Sequence, residues 1–464
     1  MIVRNSIHIE RGEVTDVKTS AVEFEYMAEN SEITITGYVG HGGHVAVPAT
    51  IDGMPVTVIG DEAFRGCDLL TTLTIPAGVT RIGKAVFRSC TKLSCINVPS
   101  SVTSIGAGAF AGCGELTSIV IPHGVKRIEE YVFNNCSRLD KIVIPDSVTY
   151  IGSASFSGCG LSNIEIPGGI AKIEAHAFSG CQNLSSVVIP DSVTCIDVAA
   201  FQYCFNLSGV AIPCSVSSIA DDAFGFCLRL SGITVDARNS AYSSADGVLL
   251  DKNQTVLIQY PAGKTAECYT IPDSVTRVGH MAFSGCRKLS AINVDDNNVS
   301  YRSVDGVLFS KDLKLLIRCP EGRVRDYAIP DGVSDIEDGA FYNCDRLGSV
   351  KLPNSITVIG ESAFHHANNL VNITIPDKVT RIGRMAFCSC SRLATVTILG
   401  SIVDFGCSAF YGCSELREVY FKGNAPRAPS SVFYANNILT VYYVSGATGW
   451  GMEWGGRPTS LYKR

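Results

Sequence analysis

The sequence predicts a repeat solenoid, mostly β, and three observations predict it. Phenylalanine recurs at Phe64, Phe87, Phe110, Phe133, Phe156, Phe178, Phe201, Phe224, Phe283, Phe341, Phe364, Phe387, Phe410 and Phe433, usually 23 residues apart. Cysteine stands three residues after twelve of these fourteen phenylalanines. Between them lies a short run of alternating apolar and polar residues, often closed by proline, as in a strand buried on one face and then stopped. A fixed period of this length means units that cannot bury an apolar face alone and must stack. For 464 residues the length prior is two or three domains, but a solenoid grows in one dimension, so one elongated domain is expected.

One unit, residues 93–113, shows how each element follows. Leu93, Ile96 and Val98 face inward around polar Asn97, and Pro99 ends the strand by removing a ladder donor. Val102 and Ile105 form a second short extended piece, and Gly106 supplies backbone freedom where the coil bends. Ala109 and Phe110 fill the core of the return side, and Cys113 closes the turn before Leu116 opens the next rung.

The pattern L-x-x-I-x-I-P-x-x-V-T-x-I-G-x-x-A-F-x-x-C resembles the BspA-like branch of the leucine-rich repeat proteins, and it recurs at residues 70–87, 139–156, 184–201 and 370–387. The resemblance spans roughly residues 51–433 and implies a right-handed leucine-rich-repeat-type β-solenoid of about sixteen rungs, with an irregular return side. Family members are mostly bacterial or protozoal surface proteins. The resemblance therefore implies adhesion or protein binding.

Two units are stretched, from Asn239 and from Asn298, and their additions read alike. In the first, Val248–Leu250 and Val256–Tyr260 flank a polar turn at Asp251-Lys252-Asn253-Gln254, a hairpin signal. Each addition is expected to be one longer rung, near residues 236–270 and 295–328, ending in a fresh strand at Tyr269 or Tyr327. The unit before Phe178 is one residue short, with Gly160 directly after Cys159 and Leu161 directly after Gly160. Residues 1–50 are expected to be an amino-terminal β-hairpin cap with a poorly defined leader, and residues 434–464 a carboxy-terminal cap holding Trp450 and Trp454. Exposed tail aromatics that contact a partner are the alternative to capping.

The ladder cysteines Cys67, Cys90, Cys113, Cys136, Cys159, Cys181, Cys204, Cys227, Cys286, Cys344, Cys390 and Cys413 are read as buried free thiols, since stacked side chains point in parallel rather than at one another. Ala367 and Asn436 replace two members, as a packing position permits. A net charge of −6 with 18% charged residues offers no basic stripe for nucleic acid. No apolar run is long enough to insert in a membrane. The charged amino terminus is not a secretory signal, so a cytoplasmic location stands against the cell-surface or secreted location that the resemblance implies.

No catalytic residue, metal site or cofactor is expected. The eight histidines share no column, and neither a nucleophile motif nor a C-x-x-C pair occurs. Gly40-His41-Gly42-Gly43-His44 reads as a hairpin loop and Asp295-Asp296-Asn297-Asn298 as a polar turn without calcium-loop spacing. A column of Arg81, Arg127, Lys172, Arg277 and Arg381 reads as a solvated face, with an acidic glycan site as the alternative.

The strand face is the more informative surface. Its solvent-facing places are the third and fifth of thirteen rungs, and only Lys141, Glu165, Lys351 and Glu418 among those twenty-six are charged. Ser118, Val120, Lys141, Val143, Asn163, Glu165, Ser186, Val188, Lys351, Asn372, Thr374 and Tyr420 are the candidate binding residues. The function expected is a monomeric, non-catalytic scaffold for a protein partner in adhesion or host and cell-surface binding. A carbohydrate-binding surface module and an intracellular scaffold are the alternatives. β-Branched residues also suit a bare sheet, so the strip by itself does not name a ligand.

Overall fold

In the computed structural model the described residues are 5–9 and 22–462, apart from 325, 428, 430 and 437. Most of the expected leader, residues 10–21, lies outside them. The described residues form strands and turns without a helix, in about 18 coils of a β-solenoid. They divide into two compact units, one holding residues up to 253 with 258–263, the other 254–257 with 264–464.

The coil count exceeds sixteen because the end pieces continue the parallel pairing. In the first unit Val22–Glu29 and Glu32–Tyr38 form an antiparallel hairpin through Asn30 and Ser31, whose φ angles of 53° and 64° suit a tight two-residue turn. Glu32–Tyr38 then pairs in parallel with Met54–Ile59, and Gly43–Ala46 with Leu70–Thr74. In the second unit Glu418–Phe421 pairs in parallel with Thr440–Val444, which pairs with Arg457–Tyr462.

Each regular coil is held by its neighbours at two levels. On the strand side, equivalent residues pair in parallel, as Leu73 with Ile96 and Ile119 with Ile142. On the return side, the N–H groups of Glu62, Phe64 and Gly66 donate to the carbonyls of Lys84, Val86 and Arg88 in the next coil at 2.8, 3.0 and 2.8 Å. The residues between them, Ala63, Arg65 and Cys67, donate back within their own coil. This alternation needs left-handed residues two places before and two places after phenylalanine: Glu62 and Gly66, Ala85 and Ser89, Tyr131 and Asn135, His176 and Gly180 all have φ between 51° and 72°. Gly106 is not among them. A Cβ at Gly106 would lie 2.6 Å from the backbone of Gly83, so close approach of coils, rather than backbone freedom, explains that glycine.

The phenylalanines stack. Ring centroids from Phe64 to Phe224 are 5.3–5.7 Å apart in the first unit, and those from Phe341 to Phe433 4.6–5.7 Å in the second. Every ladder thiol from Cys90 to Cys227, with Cys390 and Cys413, donates to the carbonyl of the phenylalanine one coil back at 3.0–3.2 Å. Asn436 does the same through Nδ2 to Phe410 at 2.6 Å, so its amide replaces the thiol as a donor as well as a filler. Cys67 corrects the expectation of uniform burial: first in the ladder, it is half-buried. Cys286 and Cys344 are buried as well, and Cys344, preceded by the second inserted rung, directs its thiol to the Cys319 and Pro320 carbonyls at 3.7 and 3.9 Å.

Both insertions hinge on one buried asparagine. Asn298 donates through Nδ2 to Pro272 and Val275 carbonyls at 2.7 and 2.8 Å, while Oδ1 accepts the N–H groups of Ser300 and Tyr301 at 2.9 and 2.8 Å. Asn239 repeats all four bonds with Pro213, Val216, Ala241 and Tyr242. Next comes a hairpin at Asp246-Gly247 in one and Asp305-Gly306 in the other, with positive φ at both positions. The hairpin expected later in the rung forms in the second insertion, where Val307–Ser310 pairs antiparallel with Leu315–Arg318.

Replacing Asn298 with alanine removes the acceptor of two N–H groups and the side-chain donor of the Val275 carbonyl, and leaves the Pro272 carbonyl only the Val275 N–H at 3.3 Å, so it should lower unfolding free energy by about 3 kcal/mol in urea titrations. Asn298→Asp should not rescue it, because a carboxylate offers no donor to Pro272 and Val275. Thiol titration of the folded chain should label the exposed Cys95, Cys268 and Cys407 first and reach nineteen groups once the chain is unfolded without reductant.

Candidate binding face

All twelve candidate residues lie on the strand side with their side chains outside the core. In the first unit Ser118 pairs with Lys141, Val120 with Val143, Asn163 with Ser186 and Glu165 with Val188, so the face is built of columns of equivalent positions. Its most unusual members are Val120, Val143 and Val188, which are 64%, 62% and 75% exposed. The inward partners Ile119, Ile164 and Val187 are buried, as strand alternation requires. In the second unit Lys351, Asn372 and Thr374 are exposed and Tyr420 is half-buried. Tyr420 stacks on Tyr442 at 5.0 Å and meets Tyr462 edge-on at 5.1 Å. Because Tyr420 and Tyr442 stack along the ladder, their rings stand on edge and offer margins and hydroxyls to solvent rather than a flat platform. Burial, with help from Glu418, pushes the Tyr420 hydroxyl up to about 12. Tyr442 and Tyr462 escaped the sequence reading because they sit in the irregular tail.

The basic column is largely neutralised. Arg81 pairs with Asp61 at 3.7 Å, Arg127 with Glu129 at 2.9 Å, Lys172 with Glu174 and Asp197 at 2.8 and 2.7 Å, and Arg381 with Asp404 at 3.3 Å. Such a column presents little free charge to an acidic glycan. The tail tryptophans face inward: Trp454 is buried and donates to the Pro426 carbonyl at 2.7 Å, and Trp450 stacks on Tyr443 at 5.3 Å. His44 bonds Thr72 of the neighbouring strand, and Asp295 accepts the N–H of Asn297 at 2.9 Å. Among the described residues, no three His, Cys, Asp or Glu side chains converge as a metal site, and no helix is long and apolar enough to cross a membrane.

The nearest approach to reactive chemistry lies in the second insertion. Arg318 and Glu321 are buried there, Arg318 donating to the Gly339 carbonyl at 2.7 Å and to Glu321 at 3.1 Å, and Glu321 also accepting the Gly285 N–H at 2.9 Å. Burial, opposed by Arg318, holds the Glu321 carboxyl up at about 7. Glu337, raised to about 6 by burial and then by Asp338, lines a 200 Å³ cavity with Arg318, Phe283 and Tyr301. The lining also holds His280 and Ser310, whose hydroxyl donates to Asp312 at 2.6 Å, and the first insertion carries Gln259 and Ala262 at the places of Arg318 and Glu321. That substitution is the sequence signal of the pair, and it marks a structural ion pair rather than a repeated site.

Stacked coils with one regular strand and one turn-built return side define a leucine-rich-repeat-type solenoid. The chain belongs to the BspA type leucine-rich repeat region family, whose model matches residues 57–184, 126–245, 263–315 and 322–448. It is similar to a leucine-rich cell surface protein of Faecalibacterium prausnitzii, with 28% identity over 90% of this chain and 96% of that one and a TM-score of 0.51. A leucine-rich repeat protein of Bacteroides ovatus has 27% identity over 88% and 94%, with a TM-score of 0.45. The leucine-rich repeat protein of T. pallidum has 32% identity over 45% of this chain and 87% of that one, with a TM-score of 0.37. No curated protein matches the chain. The family is one of repeat scaffolds typical of protein-interaction modules and generally non-catalytic.

The buried pair predicts a pH dependence. Glu321 holds its proton more tightly folded than unfolded, where its carboxyl has the ordinary value of 4.5, so its contribution is complete below about 4.5 and is lost as pH rises through about 7. Glu321→Gln should reduce the fall in stability between these pH values by about 3 kcal/mol, read from urea midpoints at the two ends.

Proposed function

We propose that this protein is a non-catalytic scaffold that binds a protein partner along the strand face, in adhesion or attachment at a cell surface. The observation that carries the reading is the exposed valines Val120, Val143 and Val188, set among mostly uncharged residues with Glu165 between the last two. Covering these groups costs little desolvation, whereas the return side would require burying charges that are already paired in water. An extended polypeptide suits such a strip, because its own side chains alternate at the strand repeat. The surface context rests on the family and on the similarity to the F. prausnitzii cell surface protein.

The test is a partner isolated by pull-down from the native environment, then titrated against variants. Val143→Lys with Val188→Lys should leave the circular dichroism melt unchanged and weaken binding by about tenfold or more, since each change places a charge in the contact. Lys84→Glu with Arg88→Glu, both exposed on the return side, should change little. An affinity that follows the return-side pair and ignores the valines refutes the reading.

A further inference from the structure

The one-residue deletion in the first unit tightens a turn at the edge of the strand face. In regular rungs two residues separate cysteine from leucine, and the leucine N–H closes on the cysteine carbonyl, as Leu139 does on Cys136 at 2.9 Å and Leu184 on Cys181 at 3.0 Å. Between Cys159 and Leu161 only Gly160 remains, and it is drawn so tightly onto the coil before that a Cβ there would lie 2.5 Å from the Ser137 carbonyl oxygen. The backbone bond that Ser94 makes to Thr71, and Ser208 to Ser185, is replaced here by Ser162 donating to the Asp140 side chain at 3.1 Å. Strand pairing ends here between 141–143 and 163–165, as it also does between 95–97 and 118–120 and between 186–188 and 209–212, so the shortened turn, rather than the break in pairing, sets this place apart. Ile142 is half-buried, although its counterparts Ile96, Ile119, Ile164 and Val187 are buried.

The result is an open notch of about 680 Å³ lined by Ser118, Ser137, Arg138, Asp140, Lys141 and Ser162, among others. Its charges are not equally available. Arg138 is paired with Glu115, and Asp140 accepts the Ser162 N–H. Lys141 is exposed and makes no ion pair among the described residues.

We infer that this notch seats the carboxylate side chain of an aspartate or glutamate in an extended peptide lying on the strand face, with Lys141 as its counter-ion. The inference rests on the strand-face reading above and deepens it. Lys141 is the cation of the lining that no ion pair holds, since Arg138 is taken by Glu115; the Asp140 carboxylate shares the notch but turns Oδ1 to the Ser162 N–H, the Ser118 and Ser162 hydroxyls are donors around Lys141, and the partly open Ile142 offers apolar cover to the neighbouring residue of the peptide.

The probes are two dye-labelled twelve-residue peptides of alternating serine and valine, one with glutamate and one with glutamine near the centre, followed by fluorescence anisotropy. The glutamate peptide should bind about fivefold more tightly to the wild-type chain. Lys141→Gln should erase that difference and leave the glutamine peptide unaffected. Inserting one serine between Cys159 and Gly160 restores the regular spacing and should erase it too, with the melt confirming the fold. Equal binding of the two peptides to the wild-type chain, or a preference that survives both changes, overturns the notch. If equal binding is nevertheless lost in Val143→Lys with Val188→Lys, the strand-face reading stands while the notch falls. If neither peptide binds, both fall.

Discussion

The structure depends on one constraint: every coil must offer its peptide groups to the next at the same places. The return side meets it with alternate N–H groups leaving the coil, as from Glu62, Phe64 and Gly66, while those between close turns on themselves. Because each coil is both donor and acceptor in this pattern, the period is set by backbone pairing as much as by the core. The phenylalanine stack and the thiol ladder fill the space that this spacing leaves. A longer rung must break the pattern and restart it, and Asn239 and Asn298 do so by supplying from one side chain the two donors and two acceptors that the interrupted coil lacks.

The candidate face follows from the same economy of positions. Inward residues are committed to the core, and the turns of the return side carry charges that pair across coils, as Arg384 does with Glu361 at 3.5 Å. The strand face is left with side chains that the core does not use. Its valines are exposed because alternation places them outside, and the notch beside Lys141 arises where a turn loses a residue rather than where a loop is added.

Much of this was legible in the sequence. The strands at residues 95–97, 118–120 and 141–143 lie where alternation placed them, and the ladder cysteines after Cys67 are buried. What escaped was information that periodicity does not carry. The left-handed positions are filled by glycine at Gly66, Gly112 and Gly158 but by Ser89, Asn135 and Tyr203 elsewhere, so no residue type announces them. The Asp246-Gly247 and Asp305-Gly306 turns were readable as hairpin signals and were hidden by the longer apolar runs that follow. The thiol bond to the phenylalanine carbonyl depends on a distance between coils that a single unit does not reveal. On the candidate face, exposure followed from alternation, whereas the notch needed the close approach at Gly160 and the half-burial of Ile142 to become visible.

The thiol ladder also bears on the chain's tolerance of oxidants. Burial pushes Cys90, Cys136, Cys181 and Cys227 up to about 12, which at neutral pH leaves about one thiolate in 10⁵ at each site. Disulfide exchange proceeds through the thiolate, and each of these sulfurs already directs its hydrogen to a carbonyl. A run of cysteines that would scramble in an open chain is thereby made chemically quiet by folding. Its redox surroundings govern how the chain must be made, and matter little to the ladder once it is closed.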